Sequence, residues 1–420
     1  ITHLFGVSPY IVVTRGGVKS LAKSRFSYIV LILVLAFSVY SSLYIVPSKF
    51  FIGNFISLRI IDVFEKVLFL LNLTGNIYIL ISNIARGRQL HWLIKHFLKI
   101  DRISGRIGIQ WNYKKIFYSV IWRLILTVLH LSFTSFIYIF CSYRLNAALS
   151  MLLISIMLMS MIEFLFTIFL NDFLTMSTGV RMHALNEVLK NLAHQWDNGI
   201  VKPLPKQHSL QCLDSFSMYT IVTNNPCDII QESMEIHHMI CDAASTANKY
   251  FTYQLLTIIS IAFLIIVFDA YYVLETLLGK SAHESKFKTV EFVTFFSCQM
   301  ILYLIAIISI VEGSNRAIKK SEKTGGIVHS LLNKAKNAEL KEKLQQFSLQ
   351  LLHLKIHFTA AGLFNIDRTL YFTISGALTT YLIILLQFTN SNPPEHPFVP
   401  MEENDTMPIR SLGSNLTIGG

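Results

Sequence analysis

The sequence predicts an all-α polytopic membrane protein with seven transmembrane helices, a cytoplasmic N-terminus and an extracellular C-terminus. Three observations lead to this fold class: the bulk composition, the number of long apolar segments and the uneven distribution of basic residues. Hydrophobic residues make up 53% of the 420 residues and charged residues only 15%. This composition excludes an ordinary soluble domain.

Long apolar segments give the number of spans. A helix needs roughly 20 mostly apolar residues to cross about 30 Å of hydrocarbon. The segments that meet or approach this length are 26–46, 60–84, 116–141, 147–176, 250–278, 290–311 and 370–388. The second is the weakest because it contains charged and amide side chains. The chain begins with Ile1, and we expect the natural N-terminus to precede it.

The basic residues predict the orientation. Of the 36 lysines and arginines, 27 lie in alternate segments between the spans, and the positive-inside rule assigns these segments to the cytoplasm. Asn404 and Asn415 begin two glycosylation sequons after the last span, which agrees with an extracellular C-terminus. The orientation is opposite to that of a G-protein-coupled receptor. The basic segments are 1–25, 85–115, 177–250 and 312–369.

The spans divide the chain into a large membrane domain and smaller polar regions. We expect a cytoplasmic N-terminal segment at 1–25 and a six-helix membrane domain at 26–311, with a cytoplasmic insertion at 177–250. A basic helical anchor region follows at 312–369. The seventh helix at 370–388 and an extracellular tail at 389–420 complete the chain.

Within the basic region, we expect Gly325-Gly326 to break the helix and a new helix to run from about 327 to 358. In that helix, apolar residues alternate by four and three from Leu340 to Phe358 and form a narrow seam. The seam predicts either association between subunits or packing against helices of the same chain. The seam covers only two and a half heptads, which is too short to distinguish these two interpretations.

Other function classes find no support in the residue pattern. No catalytic arrangement of nucleophile and base, paired carboxylates or phosphate-binding loop stands out, so we expect neither an enzyme nor a cofactor. No spacing of His, Cys and acidic residues predicts a metal site. The net charge of +11 follows from membrane topology, and we expect no nucleic-acid partner.

The seventh span carries a polar stripe. Thr373, Thr380 and Gln387 recur every seven residues and therefore drift only about 20° per step around a helix. Gly376, Ala377 and Ile384 share this face. Such a stripe is typical of a helix that lines a water-filled pore, but also of an interface between two helices. A pore would require an oligomer, because one helix per chain cannot enclose it.

The end of this span resembles a family signature. Thr380-Tyr381, five apolar residues and Gln387-Phe388 are similar, at all nine positions, to the motif that closes the seventh helix of insect gustatory receptors. The preceding segment, with Gly362 and Asn365-Ile-Asp367-Arg368, is similar to the family as well. The sequence departs from the family after Phe388, where 32 residues follow.

The resemblance implies a tastant-gated, non-selective cation channel that mediates acceptance or avoidance. The channel would be a homotetramer, or a heteromer with related receptors, embedded in the lipid of the plasma membrane of sensory-neuron dendrites. Permeant cations would pass a pore lined by Gln387, Phe388, Ile384, Thr380 and Thr373, with Tyr381 supporting the helix. The alternatives are an odorant-receptor-type channel subunit and, from another class, a G-protein-coupled receptor.

The tastant, a sugar or a bitter plant compound, would bind among polar groups of the other spans, because intramembrane polar residues are functional candidates. Each of these groups could instead make a structural contact between helices, and this alternative is the favoured one for Glu163 and His130. Asp269 is the strongest candidate, since carboxylates are rare at such depth. The ligand-binding candidates are Asp269, Tyr272, Gln299, Tyr303, His130, Asn76 and Glu163.

Overall fold

The computed structural model describes residues 10–15, 18–23, 29, 32–37, 39–40, 43, 59–144, 151–197, 217–219, 225–278 and 286–391. Most of these residues are helical, including those described between 29 and 43. The helices are α1 (Arg59–Ser104), α2 (Tyr113–Arg144), α3 (Met151–Asp197), α4 (Pro226–Leu277), α5 (Lys286–Lys334), α6 (Ala338–His353) and α7 (Thr369–Ser391).

Six of the helices in the described residues are long and apolar enough to cross a membrane: α1 to α5 and α7. They contain the second to the seventh predicted spans, so the prediction of a polytopic helical membrane protein is confirmed. The first predicted span, 26–46, lies largely outside the described residues, as does the tail with Asn404 and Asn415.

The helices continue far beyond the membrane. α3, α4 and α5 contain 47, 52 and 49 residues, so each is about 70–78 Å long, more than twice the thickness of the hydrocarbon layer. Their extra turns pack together with those of α1 into one helical bundle. Leu93, Leu185, Ile240 and Leu331, one from each helix, are fully buried there. The apolar core therefore extends without interruption from the spans into the basic segments.

The predicted helix break at Gly325-Gly326 is wrong, because α5 runs through both glycines. Two glycines destabilise a helix by roughly 1 kcal/mol each relative to alanine, but the neighbouring turns are held by α3. The Thr324 hydroxyl donates a hydrogen bond to Asn186 Oδ1 at 2.7 Å, and Val328 is fully buried. These contacts offset the intrinsic cost of the glycines.

The next helix boundary lies about ten residues further on, so the predicted helix 327–358 is also wrong. α5 ends at Lys334 and α6 begins at Ala338. Asn337 caps α6, because its side chain accepts a hydrogen bond from the backbone N–H of Glu339 at 3.0 Å.

The apolar seam of α6 is used inside its own chain. Leu344 and Phe347 are fully buried and Leu340 nearly so. The Phe347 ring lies edge-on to His237 of α4, with 5.7 Å between ring centroids. Of the two interpretations of the seam, packing against the same chain is the one that the structure shows.

Short antiparallel strand pairs lie outside the helices in the described residues, and the sequence did not predict them. β1 (Tyr10–Arg15) and β2 (Val18–Lys23) form a hairpin, whereas β3 (Ile109–Trp111) pairs with the distant β4 (Ser217–Tyr219). A further hairpin, β5 (Thr359–Ala360) and β6 (Phe364–Asn365), leads directly into α7. Its turn places Ala361 and Gly362 at φ 52° and 73°, and the left-handed conformation suits the glycine better than the alanine.

A buried ion pair joins the end of α1 to α3. The Arg181 guanidinium donates two hydrogen bonds to the Asp101 carboxylate, both at 2.8 Å. Arg181 also lies over the rings of Phe97 and Trp111, 4.5 and 5.5 Å from their centroids. The Tyr113 hydroxyl, at the start of α2, donates to the same carboxylate at 3.2 Å. Three helices therefore meet at one buried ion pair, whose carboxylate accepts hydrogen bonds from Arg181 and Tyr113.

Candidate channel and ligand sites

The polar face of α7 is open in the single chain. Thr373, Thr380 and Gln387 are all exposed, and Ile384 is 52% exposed. A Cβ added at Gly376 would meet nothing within 4 Å. Among the described residues, α7 packs mainly against α4. Leu370 at its start is buried, whereas the apolar residues Phe372 and Ile383 are 82% and 50% exposed. The polar stripe is therefore exposed in the described residues, apart from half-buried Ala377, and apolar residues elsewhere on the helix are exposed as well.

The hydroxyl groups of this stripe are oriented by the helix itself. Thr380 Oγ1 donates a hydrogen bond to the Gly376 carbonyl at 2.9 Å, and Thr373 Oγ1 donates to the Thr369 carbonyl at 3.3 Å. A hydroxyl that donates its proton to the backbone keeps its oxygen lone pairs as acceptors. Oxygens held in this way could contact a partly hydrated cation.

α7 and the segment before it contact α4 at two levels. Tyr381 packs edge-on against Phe263, with 6.0 Å between ring centroids. Before the helix begins, the β5–β6 hairpin is tied to α4. Asn248 Oδ1 accepts a hydrogen bond from the Thr359 N–H at 3.0 Å, and Thr252 Oγ1 accepts one from the Ala361 N–H at 2.7 Å.

A second connection runs from α7 to α5. Arg368, directly before α7, donates two hydrogen bonds to the Glu312 carboxylate at 2.8 and 3.0 Å. The Glu312 carboxylate raises the pKa of Arg368 above its ordinary value, so the guanidinium stays charged. Asp367 Oδ1 accepts from the Thr369 N–H at 2.8 Å and caps α7. The start of the helix is therefore fixed from two sides.

Asp269 lies beside an aromatic cluster between α4 and α5. The cluster consists of Phe268 and Tyr272 of α4 with Phe295 and Phe296 of α5. Phe296 is its centre, because its ring centroid lies 4.3 Å from Tyr272, 5.1 Å from Phe295 and 6.3 Å from Phe268. Asp269 is 1% exposed. A carboxylate at an aromatic wall could accept a hydrogen bond from a hydroxyl group or face a cationic group of a small ligand.

The other ligand candidates occupy different places. On α5, half-buried Gln299 lies about one turn from Phe296 of the aromatic cluster, and buried Tyr303 lies about two turns from it. Asn76 of α1 is buried and donates hydrogen bonds to Asn72 of the same helix and to Ser160 of α3. This bond between helices is a structural role for Asn76.

Glu163 of α3 is 1% exposed, and its carboxylate oxygens have no hydrogen-bond partner among the described residues. His130 of α2 lies instead along a groove with Arg123 and Asp172. The side chain of Phe388 lies outside the described residues. Within the described ranges, no three His, Cys, Asp or Glu side chains come together to hold a metal ion.

A polar network between α1 and α4 was not identified from the sequence. The Tyr250 hydroxyl donates to Asn83 Oδ1 at 2.9 Å, and Gln254 Nε2 donates to the same oxygen at 3.0 Å. All three side chains are buried. Asn83 is one of the polar residues that made the second predicted span the weakest by hydropathy.

Comparison with known proteins agrees with the fold and with the predicted family. The family model described as 7tm chemosensory receptor matches residues 1–392. Gustatory receptor 28b of Drosophila melanogaster is 54% identical over 406 residues, covering 94% of this chain and 85% of that protein. Gustatory receptor 28a of the same species is 36% identical over 323 residues, covering 72% and 71%.

A solved structure shares the architecture at low sequence identity. The insect olfactory receptor OR5 from Machilis hrabei, in complex with eugenol, superposes with a TM-score of 0.66 at 13% identity, and the match covers 92% of this chain and 95% of that one. At this identity the likeness shows the fold alone. The family model matches residues 1–392, and the two Drosophila relatives are similar over most of the chain. The chain therefore belongs to the 7tm chemosensory receptors and, within them, to the insect gustatory receptors.

Proposed function

We propose that this receptor is a tastant-gated, non-selective cation channel in the plasma membrane of sensory-neuron dendrites. Four chains would assemble so that their α7 helices surround one pore. The observation that carries the proposal is the open polar face of α7, with Thr373, Thr380 and Gln387 exposed in the single chain. In hydrocarbon, exposed amides and hydroxyls are costly unless they face water or other protein, and a pore at a symmetry axis supplies both.

The connections of α7 suggest how ligand binding would open the pore. α4 and α5 carry the Asp269 region, and the same two helices hold the start of α7 through the β5–β6 hairpin and the Arg368–Glu312 pair. A change in the α4–α5 contact around a ligand would therefore shift the start of α7. Differential affinity of the ligand for the shifted arrangement would drive the change.

The aromatic cluster favours a small plant compound with an aromatic ring and a polar group. The OR5 receptor of the same fold has been solved with eugenol, a ligand of this chemistry. The predicted external ligand site and the acceptance or avoidance response remain proposals, as does the predicted orientation of the termini. A sugar is the alternative ligand class.

Whole-cell current from this chain expressed alone, with G-protein signalling blocked, tests the proposal. We expect a fast cation current in response to at least one compound of a panel of sugars and bitter plant compounds. A ligand response that disappears when G-protein signalling is blocked would contradict the channel proposal and favour a G-protein-coupled receptor.

Replacing Gln387 by Ala tests the pore. We expect Q387A to change single-channel conductance or the ratio of calcium to sodium permeability by about twofold or more, because the amide is the last polar group of the stripe. The ligand concentration for half-maximal current should stay the same. The matched control is Q345A, which removes an exposed amide of α6. If Q387A and wild type have the same conductance and permeability ratio, Gln387 does not line the pore.

Replacing Asp269 by Asn tests the ligand site. We expect D269N to raise the half-maximal concentration about tenfold, as when a charge-assisted hydrogen bond becomes a neutral one. Conductance and permeability should not change. D228N, at the exposed start of the same helix, is the control. Unchanged dose–response curves for every active compound would show that the ligand binds elsewhere.

A further inference from the structure

A groove of about 640 Å³ lies between α2, α3 and α5, away from the α4–α5 aromatic cluster. One end is charged and contains Arg123, Asp172 and Arg316. The other is mainly apolar. α2 contributes Leu126 and α5 contributes Ile308, and these side chains are 49% and 48% exposed. In a membrane, these exposed apolar side chains would face lipid.

The charged end of the groove has more hydrogen-bond donors than its own carboxylates can accept. Arg123 and Arg316 both bind the Asp172 carboxylate, Arg316 with 3.2 Å between Nη2 and Oδ1. One carboxylate thus serves two guanidinium groups, each of which has five N–H donors in a planar fork. The remaining acid of the groove, Glu312, is itself bonded to Arg368. The donor set can therefore accept one further anion.

The close approach of α3 and α5 at this point depends on Gly313. A Cβ there would lie only 3.0 Å from Asp172 Oδ1 and 3.2 Å from Thr175 Oγ1. The carboxylate is thus held against the backbone of α5, with its side chain only 10% exposed, while the Arg316 side chain remains 55% exposed. Asp172 fixes one side of Arg316, and the other side stays open to the groove.

We propose that the groove binds an anionic phospholipid. Its phosphate and headgroup would lie on Arg123 and Arg316, and one acyl chain would follow the apolar wall of α2 and α5. Arginine forks match phosphate oxygens, and basic pockets between spans on the cytoplasmic side bind anionic headgroups. The apolar wall commits the site to a lipid, because a soluble phosphate would leave that wall uncovered. The predicted orientation puts the charged end at the cytoplasmic leaflet.

The experiment measures which phospholipids remain bound to the purified full-length receptor. Receptor is washed in detergent micelles that contain equal amounts of phosphatidylserine and phosphatidylcholine, and retained lipid is quantified per chain. We expect wild type to retain phosphatidylserine in preference to phosphatidylcholine. R316Q should reduce the retained phosphatidylserine about threefold or more, as expected when one of two guanidinium donors is removed. K319Q, an exposed lysine one turn away, should not.

A second variant tests the apolar part without touching any charge. Ser309 lines the groove, and S309F should fill it and lower phosphatidylserine retention while the receptor elutes at the wild-type position in size exclusion. Three results would overturn the proposal: equal retention of both lipids by wild type, equal phosphatidylserine retention in R316Q and K319Q, or full displacement of phosphatidylserine by soluble glycerophosphoserine. The last result would show a site for a free phosphate compound.

Discussion

Reversing the charge of Arg368 is expected to uncouple the ligand from the pore. R368E places two carboxylates where Arg368 and Glu312 now form a two-pronged bond at 2.8 and 3.0 Å, and the start of α7 loses its connection to α5. We expect the half-maximal ligand concentration to rise about tenfold, within the usual range of coupling between two sites. Whole-cell dose–response curves, normalised to surface expression, measure the shift.

The reciprocal exchange separates coupling from general damage. E312R alone should act like R368E, and the R368E/E312R double variant should restore part of the wild-type response, since the pair is re-formed with reversed polarity. Recovery stays partial because Arg316 lies one turn from position 312 and repels the new arginine. K336E, an exposed charge reversal between α5 and α6, is the control. A double variant no better than R368E would show that the pair does not transmit the signal.

Hydropathy identified the spans but could not identify where the helices end. Apolar runs of roughly 20 residues reflect the thickness of the membrane, and six of the seven predicted spans coincide with described helices, although residues 147–150 of the fourth span lie outside the described residues. The extensions of α3, α4 and α5 are mixed in polarity, and they are helical because residues such as Leu185 and Ile240 pack against neighbouring helices. Such tertiary contacts are not visible in a local window of sequence.

The error at Gly325-Gly326 has the same origin. Glycine propensity predicts a break, and it is a local quantity, whereas the Thr324–Asn186 hydrogen bond joins residues 138 positions apart. The true boundary is marked by Asn337, an ordinary capping residue.

The two candidate sites differ in how well the sequence could identify them. The α7 stripe follows from heptad spacing and the 380–388 motif, because all its residues lie on one helix. The ligand candidates came from polarity alone, and polarity cannot distinguish Asn76, which joins α1 to α3, from Asp269, which lies beside aromatic rings. The second connection of α7, from Arg368 to Glu312, spans 56 residues, and no local pattern indicates such a partner.

Removing the charge of Asp101 is expected to be the most destabilising of these changes. D101N keeps the shape of the side chain but leaves Arg181 buried without its carboxylate, between Phe97 and Trp111. Breaking one partner of a buried ion pair costs about 3–5 kcal/mol. Because α1, α2 and α3 meet at this pair, we expect reduced surface expression and a lower thermal midpoint in detergent, measured by fluorescence-detected size exclusion.

A double replacement distinguishes the cost of an unpaired charge from a loss of shape. R181M alone should destabilise the receptor because it leaves the buried Asp101 carboxylate with only the Tyr113 hydroxyl at 3.2 Å. In D101L/R181M both charges are absent, and an apolar pair of similar volume is often as stable as a buried ion pair. We therefore expect the double variant to regain most of the wild-type thermal midpoint. If D101N melts at the wild-type temperature, the pair contributes little and the bundle is held by its apolar core alone. If the double variant is no better than the single ones, the geometry of the guanidinium stack, rather than charge pairing, fixes this junction.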